Sequence, residues 1–216
     1  KQRLWYIRAK EVVISSGSIE RPLVFGNNDT PGVVLSSAAK EYLKVYGVLV
    51  GRNPLIFTNN DSAYETAIEF KKNGVWPTVL DTRSNPDSEI ISEAKGMGIN
   101  IKFSYVVVAA KGYKKVKSAD IAKISEDKKD LGKIESINCD CICVSGFWTP
   151  TIHLASQSGN KTKFNDDIDA FVPDKSKQKE TTLGSANGVF TLEETLKTSF
   201  EAGYELSKKI TNNDNK

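Results

Sequence analysis

At 216 residues, 39% hydrophobic and 26% charged, the chain has the composition of an ordinary soluble globular protein, long enough for one large domain or two small ones. A net charge of +3, with lysines scattered rather than striped, speaks against nucleic acid as a partner. No apolar run approaches the ~20 residues of a membrane helix, and no signal peptide opens the chain.

The first residue is Lys1, and KQRLWYIRAK enters mid-pattern, so the chain is expected to be an internal piece of something longer. Residues 10–15 (KEVVIS) are a β-branched run ending in Ser16-Gly17, which predicts a strand. After the turn-rich ERPLVFGNNDTPGVVL, SSAAKEYLKVYG predicts a helix with Gly47 as its C-cap. Residues 55–57 predict a buried strand. Residues 61–72 predict a helix with Ala63, Ala67, Ile68 and Phe70 on its apolar side. VWPTVLD (75–81) is the next strand. SNPDSEIISEAKGMG is a second helix, with Ser84 or Asn85 as N-cap and Pro86 in its first turn. Residues 100–126 read as a meander of three short strands, 127–133 (DKKDLGK) as a charged hairpin turn, and 137–145 as one strand ending again in Ser-Gly. GSANGVFTLEETLKTSFEAGYELSKKI is a glycine-containing turn followed by a helix, and the NNDNK tail is expected to fray.

Cys139, Cys141 and Cys143 alternate, which on one strand points all three thiols to one face. Such neighbours diverge too far for a disulfide. A metal site would want C-x-x-C pairs or several histidines, and the single histidine is His153. Buried packing accounts for the thiols, and an unpaired set fits a reducing cytoplasm.

LIFTNNDSAYETAIEF has the outline of the strand–turn–helix that holds a pyrophosphate in dinucleotide-binding folds. The glycine positions, however, carry Thr58, Asn60 and Ala63. A side chain at Asn60 stands where the phosphate would lie, and Asp61 puts negative charge at the helix end that favours anions. Asp61 reads more simply as a helix cap. Asp81 follows at roughly the ~20-residue spacing of a ribose-binding carboxylate. The turn is expected to be structural, and no NAD(H) or NADPH is expected there.

Two strands end alike: VVISSGSIERP and CICVSGFWTP both run into Ser-Gly and reach Pro22 and Pro150 soon after. Either they are unrelated glycine turns, or they mark the crossings of an outer domain into a nested block. On the second reading the fold class is α/β: a three-layer FAD/NAD(P)-binding-like fold, with a nested Rossmann-like domain and β-meander at residues 31–137. That domain sits inside an incomplete outer dinucleotide-binding domain of residues 1–30 and 138–216, whose strands at 10–15 and 139–145 are expected in one sheet.

That organisation resembles the two-dinucleotide-binding-domain flavoproteins. More closely, RLWYIRAKEVVISSGSIERPLVFGNNDTPGV, FTNNDSAY, VSGFWTPTIHLASQSG and AFVP resemble the alpha-subunit family of heterotetrameric sarcosine oxidase; alpha-type subunits of N-methylglutamate dehydrogenase and cyanide-forming glycine dehydrogenase share some of them. The resemblance implies an oxidoreductase acting on CH–NH donors. It would demethylate sarcosine with O2 to glycine and hydrogen peroxide and pass the one-carbon unit to tetrahydrofolate. It implies noncovalent NAD in the full subunit, with FAD and FMN elsewhere in the complex, and beta, gamma and delta subunits as partners. The other enzyme class left open is an NAD(P)H-dependent reductase of the thioredoxin reductase type, although the redox C-x-x-C is absent.

The resemblance also implies that Gly184, Ser185, Ala186, Asn187 and Gly188, with Leu192 at the helix start, close the outer cofactor site. Small residues there keep backbone amides exposed. The same residues also read as an ordinary turn, with Thr191 as N-cap and Glu194 completing a capping box, and both descriptions can hold together. No catalytic constellation or metal cluster is legible: His153 reads as a packed or capping residue, Trp5 and Trp148 as core or interface aromatics. The fragment alone is expected to be non-catalytic and, with an outer sheet edge unpaired, to associate with itself.

Overall fold

The computed structural model describes residues 2–214, with side chains described for 2–211. Two compact units are present. One is Glu20–Phe147; the other combines the chain up to Ile19 with the chain from Trp148 onward.

The chain enters through β1 (Val12–Ile14), turns at Gly17 and leaves by β2 (Ser18–Glu20). Then follow β3 (Val33–Leu35), α1 (Ser36–Tyr46), β4 (Pro54–Thr58), α2 (Ser62–Lys72), β5 (Thr78–Asp81), α3 (Glu89–Gly96) and β6 (Asn100–Phe103). Next come β7 (Tyr105–Lys111), β8 (Ser118–Lys123), β9 (Glu135–Asn138) and β10 (Cys141–Ser145). Five of these strands make one parallel sheet in the order β3-β10-β4-β5-β6, while β7, β8 and β9 form an antiparallel meander.

Period-two alternation sorts the side chains of this sheet between its two faces. Ile56, Val79, Cys141 and Cys143 pack with Ala39, Leu43, Ala63, Ala67, Phe70 and Ile91 from the helices. Leu55, Phe57, Leu80, Ile142 and Val144 pack instead with Phe25, Val107, Ala119 and Ile121 of the meander side. The result is three layers: helices, parallel sheet, meander. Each fully buried Leu, Ile or Phe here contributes on the order of 1.5–3 kcal/mol. α1 ends as its sequence predicts: Gly47, at φ 64°, donates to Leu43 O while Val48 donates to Tyr42 O, the left-handed closure open to glycine.

The remaining unit holds β11 (Trp148–Pro150), α4 (His153–Gln157), the antiparallel pair β12 (Thr162–Asn165) and β13 (Ala170–Pro173), and β14 (Glu180–Thr182). β14 runs parallel to β1, with Ile14 opposite Thr182. A 3-10 turn over Gly184–Asn187 leads into α5 (Leu192–Asp214). Of the NNDNK tail, residues 215–216 lie outside the described residues, as do the side chains from 212 onward.

Several sequence expectations are corrected. The 137–145 stretch is not one strand but the end of β9 and all of β10, broken at Cys139–Asp140. There the chain leaves the antiparallel meander and enters the parallel sheet, and Asp140 accepts the backbone N–H groups of Arg52 and Asn53 at 2.8 Å. In consequence Cys139 packs with the meander-side cluster, away from Cys141 and Cys143. Residues 10–15 and 139–145 lie in separate sheets, because β10 pairs with both β3 and β4 at the centre of the parallel sheet. The compact units therefore divide at residues 19/20 and 147/148 rather than at 30/31 and 137/138. β6 extends the parallel sheet, and the third meander strand is β9. α3 starts after Ser88, so Ser84, Asn85 and Pro86 precede it, and no side-chain hydrogen bond caps it.

Candidate functional site

Two strand-end turns are singled out by the sequence, and their chemistry differs. The β4–α2 turn is closed from within. Thr58 Oγ1 donates to Asn60 O and accepts Asn60 N–H, which folds the turn tightly under the strand end. Asn60, 5% exposed, drives its amide between the ends of β4 and β10: Nδ2 donates to Ser145 O and Ser145 Oγ at 3.1 Å. Its Oδ1 accepts Ser62 N–H at 3.0 Å and Ser62 Oγ–H at 2.6 Å. A first-turn amide that would otherwise face a phosphate oxygen is thus occupied by a side-chain carbonyl.

Asp61 does not cap α2 with its own carboxylate, as its position predicts; Asn60 takes that amide. Asp61 reaches sideways and pairs with Arg83 Nη2 at 2.8 Å. Asp81 is wholly buried. It accepts Tyr64 Oη–H at 2.8 Å, Arg83 N–H at 2.9 Å, and the Arg83 Nε and Nη2 fork at 3.0 and 2.8 Å. Burial, followed by the Asp81 charge and hydrogen bond, holds the Tyr64 phenol well above its usual range. Burial opposes the Arg83 charge, but the bonds to Asp81 and Asp61 outweigh it and raise its pKa. A carboxylate with its oxygens spent in this way has none to offer a ribose hydroxyl. These residues do not fit a pyrophosphate nucleotide at the β4–α2 turn.

The second turn is open where the first is shut. At the carboxyl ends of the parallel pair β1–β14, Leu183 N–H donates to Ile14 O and the chain enters the Gly184–Asn187 3-10 turn. Gly184 and Gly188 sit at φ 63° and 82°, conformations that side chains resist. A Cβ on Gly188 would also stand 3.1 Å from Ile168 Cδ1 and Val172 Cγ1. The leading amides of a 3-10 turn have no intrahelical acceptor, and of those here Gly184 and Ser185 lie at partly exposed residues. Ala186 is buried, Gly184, Ser185 and Gly188 half-buried, and Asn187 exposed. Leu192 is 74% exposed at the start of α5. Thr191 Oγ1 accepts Glu194 N–H at 3.3 Å, the expected N-cap, and Glu193 and Glu194 make the α5 terminus itself unfriendly to an anion.

Of the packed-or-capping reading of His153, packing is overturned: it is exposed at the first position of α4. Of the core-or-interface reading of Trp5, core is overturned, since it is 72% exposed. Among the described residues no group of three or more His, Cys, Asp or Glu gathers as a metal site, and no helix is long and apolar enough to cross a membrane. All three cysteines are buried and free. Burial pushes the Cys139 thiol up to about 12, and a hydrogen bond to Cys141 with burial raises Cys143. The Asn60–Ser145 tie and the Arg83 fork escape sequence reasoning; a basic residue two positions after a strand-end carboxylate (DTR) is the one signal that points to the fork.

No family model matches the chain. By sequence it is similar to the sarcosine oxidase alpha subunit of Corynebacterium sp. strain P-1, 34% identical over 205 residues that are 94% of this chain and 21% of the relative. The alpha subunit of Corynebacterium sp. strain U-96 is 32% identical over 92% of the chain and 20% of its own length. That of Rhizobium meliloti strain 1021 is 35% identical over 86% and 18%. The chain spans about one fifth of the length of these relatives. Among solved structures, thioredoxin reductase of T. acidophilum superposes with a TM-score of 0.68 at 17% identity, over 87% of this chain and 61% of that one. L-proline dehydrogenase from P. horikoshii gives 0.54 at 23% identity, over 82% and 30%. At such identities the likeness speaks for the fold alone, a Rossmann-type α/β fold shared with these structures.

Proposed function

The chain belongs by sequence to the sarcosine oxidase alpha-subunit family, and on that premise we propose that it serves as the dinucleotide-binding-type segment of such a subunit. In this reading the outer unit takes NAD, and the Gly184–Gly188 turn, with Leu192 beside it, forms one wall of the NAD site. Glu20–Phe147 is the nested unit and binds no nucleotide. Backbone amides of Gly184 and Ser185 hydrogen-bond the cofactor's phosphate or ribose oxygens, and the two glycines let it approach the main chain. NAD, when bound, supplies hydride-transfer capacity. The observation that carries the reading is the pair of left-handed glycines flanking a 3-10 turn at the carboxyl ends of parallel strands, the end at which α/β folds take their ligands.

The substrate assigned to the whole assembly is sarcosine, oxidatively demethylated with O2 to glycine and hydrogen peroxide. The one-carbon unit passes to tetrahydrofolate, and FAD and FMN reside outside this segment. Beta, gamma and delta subunits are the partners, and the cytoplasm is the compartment. Alpha-type subunits of N-methylglutamate or cyanide-forming glycine dehydrogenases, which share some of the same motifs, are the alternative for the substrate. A thioredoxin-reductase-type reaction is disfavoured by the closed β4–α2 turn, which leaves NADPH no seat in the nested unit. Calorimetric titration of NAD into the full-length subunit tests the assignment. Gly184→Val is expected to weaken NAD by about tenfold or more, since the substitution forces a β-branched residue into a left-handed backbone. NAD binding indifferent to Gly184 and Gly188 overturns it.

A further inference from the structure

Away from the cofactor-type ends of the strands, the β7–β8 connection reads K-G-Y-K-K-V-K. It presents Lys111, Lys114, Lys115 and Lys117, all exposed, around Tyr113, which is 91% exposed. The hairpin is stiffly mounted. Lys117 N–H donates to Lys111 O at 2.8 Å, and Val116, fully buried, donates to Pro31 O at 2.9 Å. Gly112 sits at φ 151°, where a Cβ would collide with Lys115 O, so the turn needs glycine there.

Hydrogen bonds join this tip to the amino-terminal ends of β4 and β10. Cys139 N–H donates to Lys117 O, Asp140 N–H to Asn53 O, and exposed Arg52 follows on the same strand approach. The acids there are largely spent. Asp120 pairs with Lys111 at 3.0 Å, and Asp140 accepts the amides of Arg52 and Asn53, which leaves exposed Asp29. Lys114, Lys115, Lys117 and Arg52 are without a side-chain partner among the described residues.

We propose that this hairpin end of the Glu20–Phe147 unit is a docking surface for an acidic segment of another polypeptide, with Tyr113 as the anchor. An exposed tyrosine with only two side-chain torsions to fix supplies contact area at modest entropic cost, and the neighbouring cations supply charge complementarity. Duplex nucleic acid fits less well: it rewards six to ten phosphate contacts, and this end offers about four uncompensated cations and one aromatic ring. The surface rests on the reading above only for the existence of a partner polypeptide.

The test uses the full-length protein and labelled poly-L-glutamate as the acidic probe, read by fluorescence anisotropy at low and moderate salt. Binding is expected to weaken with salt and to fall by about tenfold or more in the Lys114→Glu/Lys115→Glu/Lys117→Glu variant, and about threefold in Tyr113→Ala. Lys161→Glu/Lys175→Glu/Lys177→Glu, the same charge change in the other unit, is expected to keep most of the binding, with thermal melts reporting that both variants fold. Equal losses in the two triple variants overturn the proposal. So does tighter binding to poly(A) RNA or to phosphatidylserine vesicles than to poly-L-glutamate. The readout involves neither NAD nor amine oxidation, so its failure and that of the cofactor assignment are separable.

Discussion

Replacing Asp81 by Asn tests whether the strand-end carboxylate is a structural keystone or a cofactor ligand. The side chain is wholly buried and holds Tyr64 Oη and three donors of Arg83. Asn keeps the shape, removes the charge and turns one acceptor into a donor facing the guanidinium or the phenol. Breaking a fully buried ion pair costs about 3–5 kcal/mol. Arg83 is 31% exposed and retains Asp61, itself 44% exposed, so solvent and the second carboxylate offset part of that loss. We expect about 2–3 kcal/mol, which for a chain of this size lowers the melting temperature by roughly 5–10 °C. Tyr64→Phe, losing one hydrogen bond to a charged acceptor, is expected to cost about 1–2 kcal/mol. Asp61→Asn, an exposed pair, is expected to cost under about 1 kcal/mol. Calorimetric melting of the three variants checks the order Asp81, Tyr64, Asp61, with NAD titrations alongside. A melting shift under about 2 °C for Asp81→Asn, or a loss of NAD affinity without loss of stability, refutes the assignment of Asp81 to structure.

Other outcomes follow from the same geometry. The three cysteines, buried and free, are expected to resist a thiol reagent in the native chain at pH 8 and to react fully on denaturation; rapid native labelling contradicts their burial. Cys139 is raised to about 12 and Tyr64 is raised too, so both bind protons more tightly folded than unfolded. Their stabilisation is whole below the unfolded thiol value and is lost as pH climbs toward 12, so melting temperature should fall across that alkaline window; a flat or rising profile refutes the sign. Asn60→Ala is expected to destabilise by about 2–3 kcal/mol through the stranded Ser145 and Ser62 groups without creating an NAD site, as urea unfolding and NAD titration report together. Gly188→Ala, with its strained backbone and the tight approach of Ile168 and Val172, is expected to cost about 1–3 kcal/mol; an unchanged urea midpoint contradicts the left-handed turn.

The Rossmann outline was legible because local signals agreed with the global fold. Gly47 closes α1, the apolar face of α2 carries Ala63, Ala67, Ile68 and Phe70, and the buried run at β4 is as short as a central strand should be. What composition and periodicity do not carry is the partner of each strand. The apolar alternation of β6 suits a meander or a parallel edge equally, and Ile137–Ser145 continues its pattern through the point where the chain changes sheets. The closure of the β4–α2 turn was legible in outline, from Asn60 and Asp61 at positions where glycine is needed. Its mechanism was not, because Ser145 lies 85 residues away from Asn60 and Arg83 reaches back across the turn to Asp61. Asp61, sequence-adjacent to the helix, looked like the cap that Asn60 in fact provides.

Hydrogen–deuterium exchange of the full-length subunit with and without NAD tests the central claim most directly, because it reads both turns in one experiment. NAD is expected to protect amides across Gly184–Gly188 and to leave the β4–α2 turn, residues 58–64, unchanged. Protection of residues 58–64 with none at Gly184–Gly188 would contradict the account.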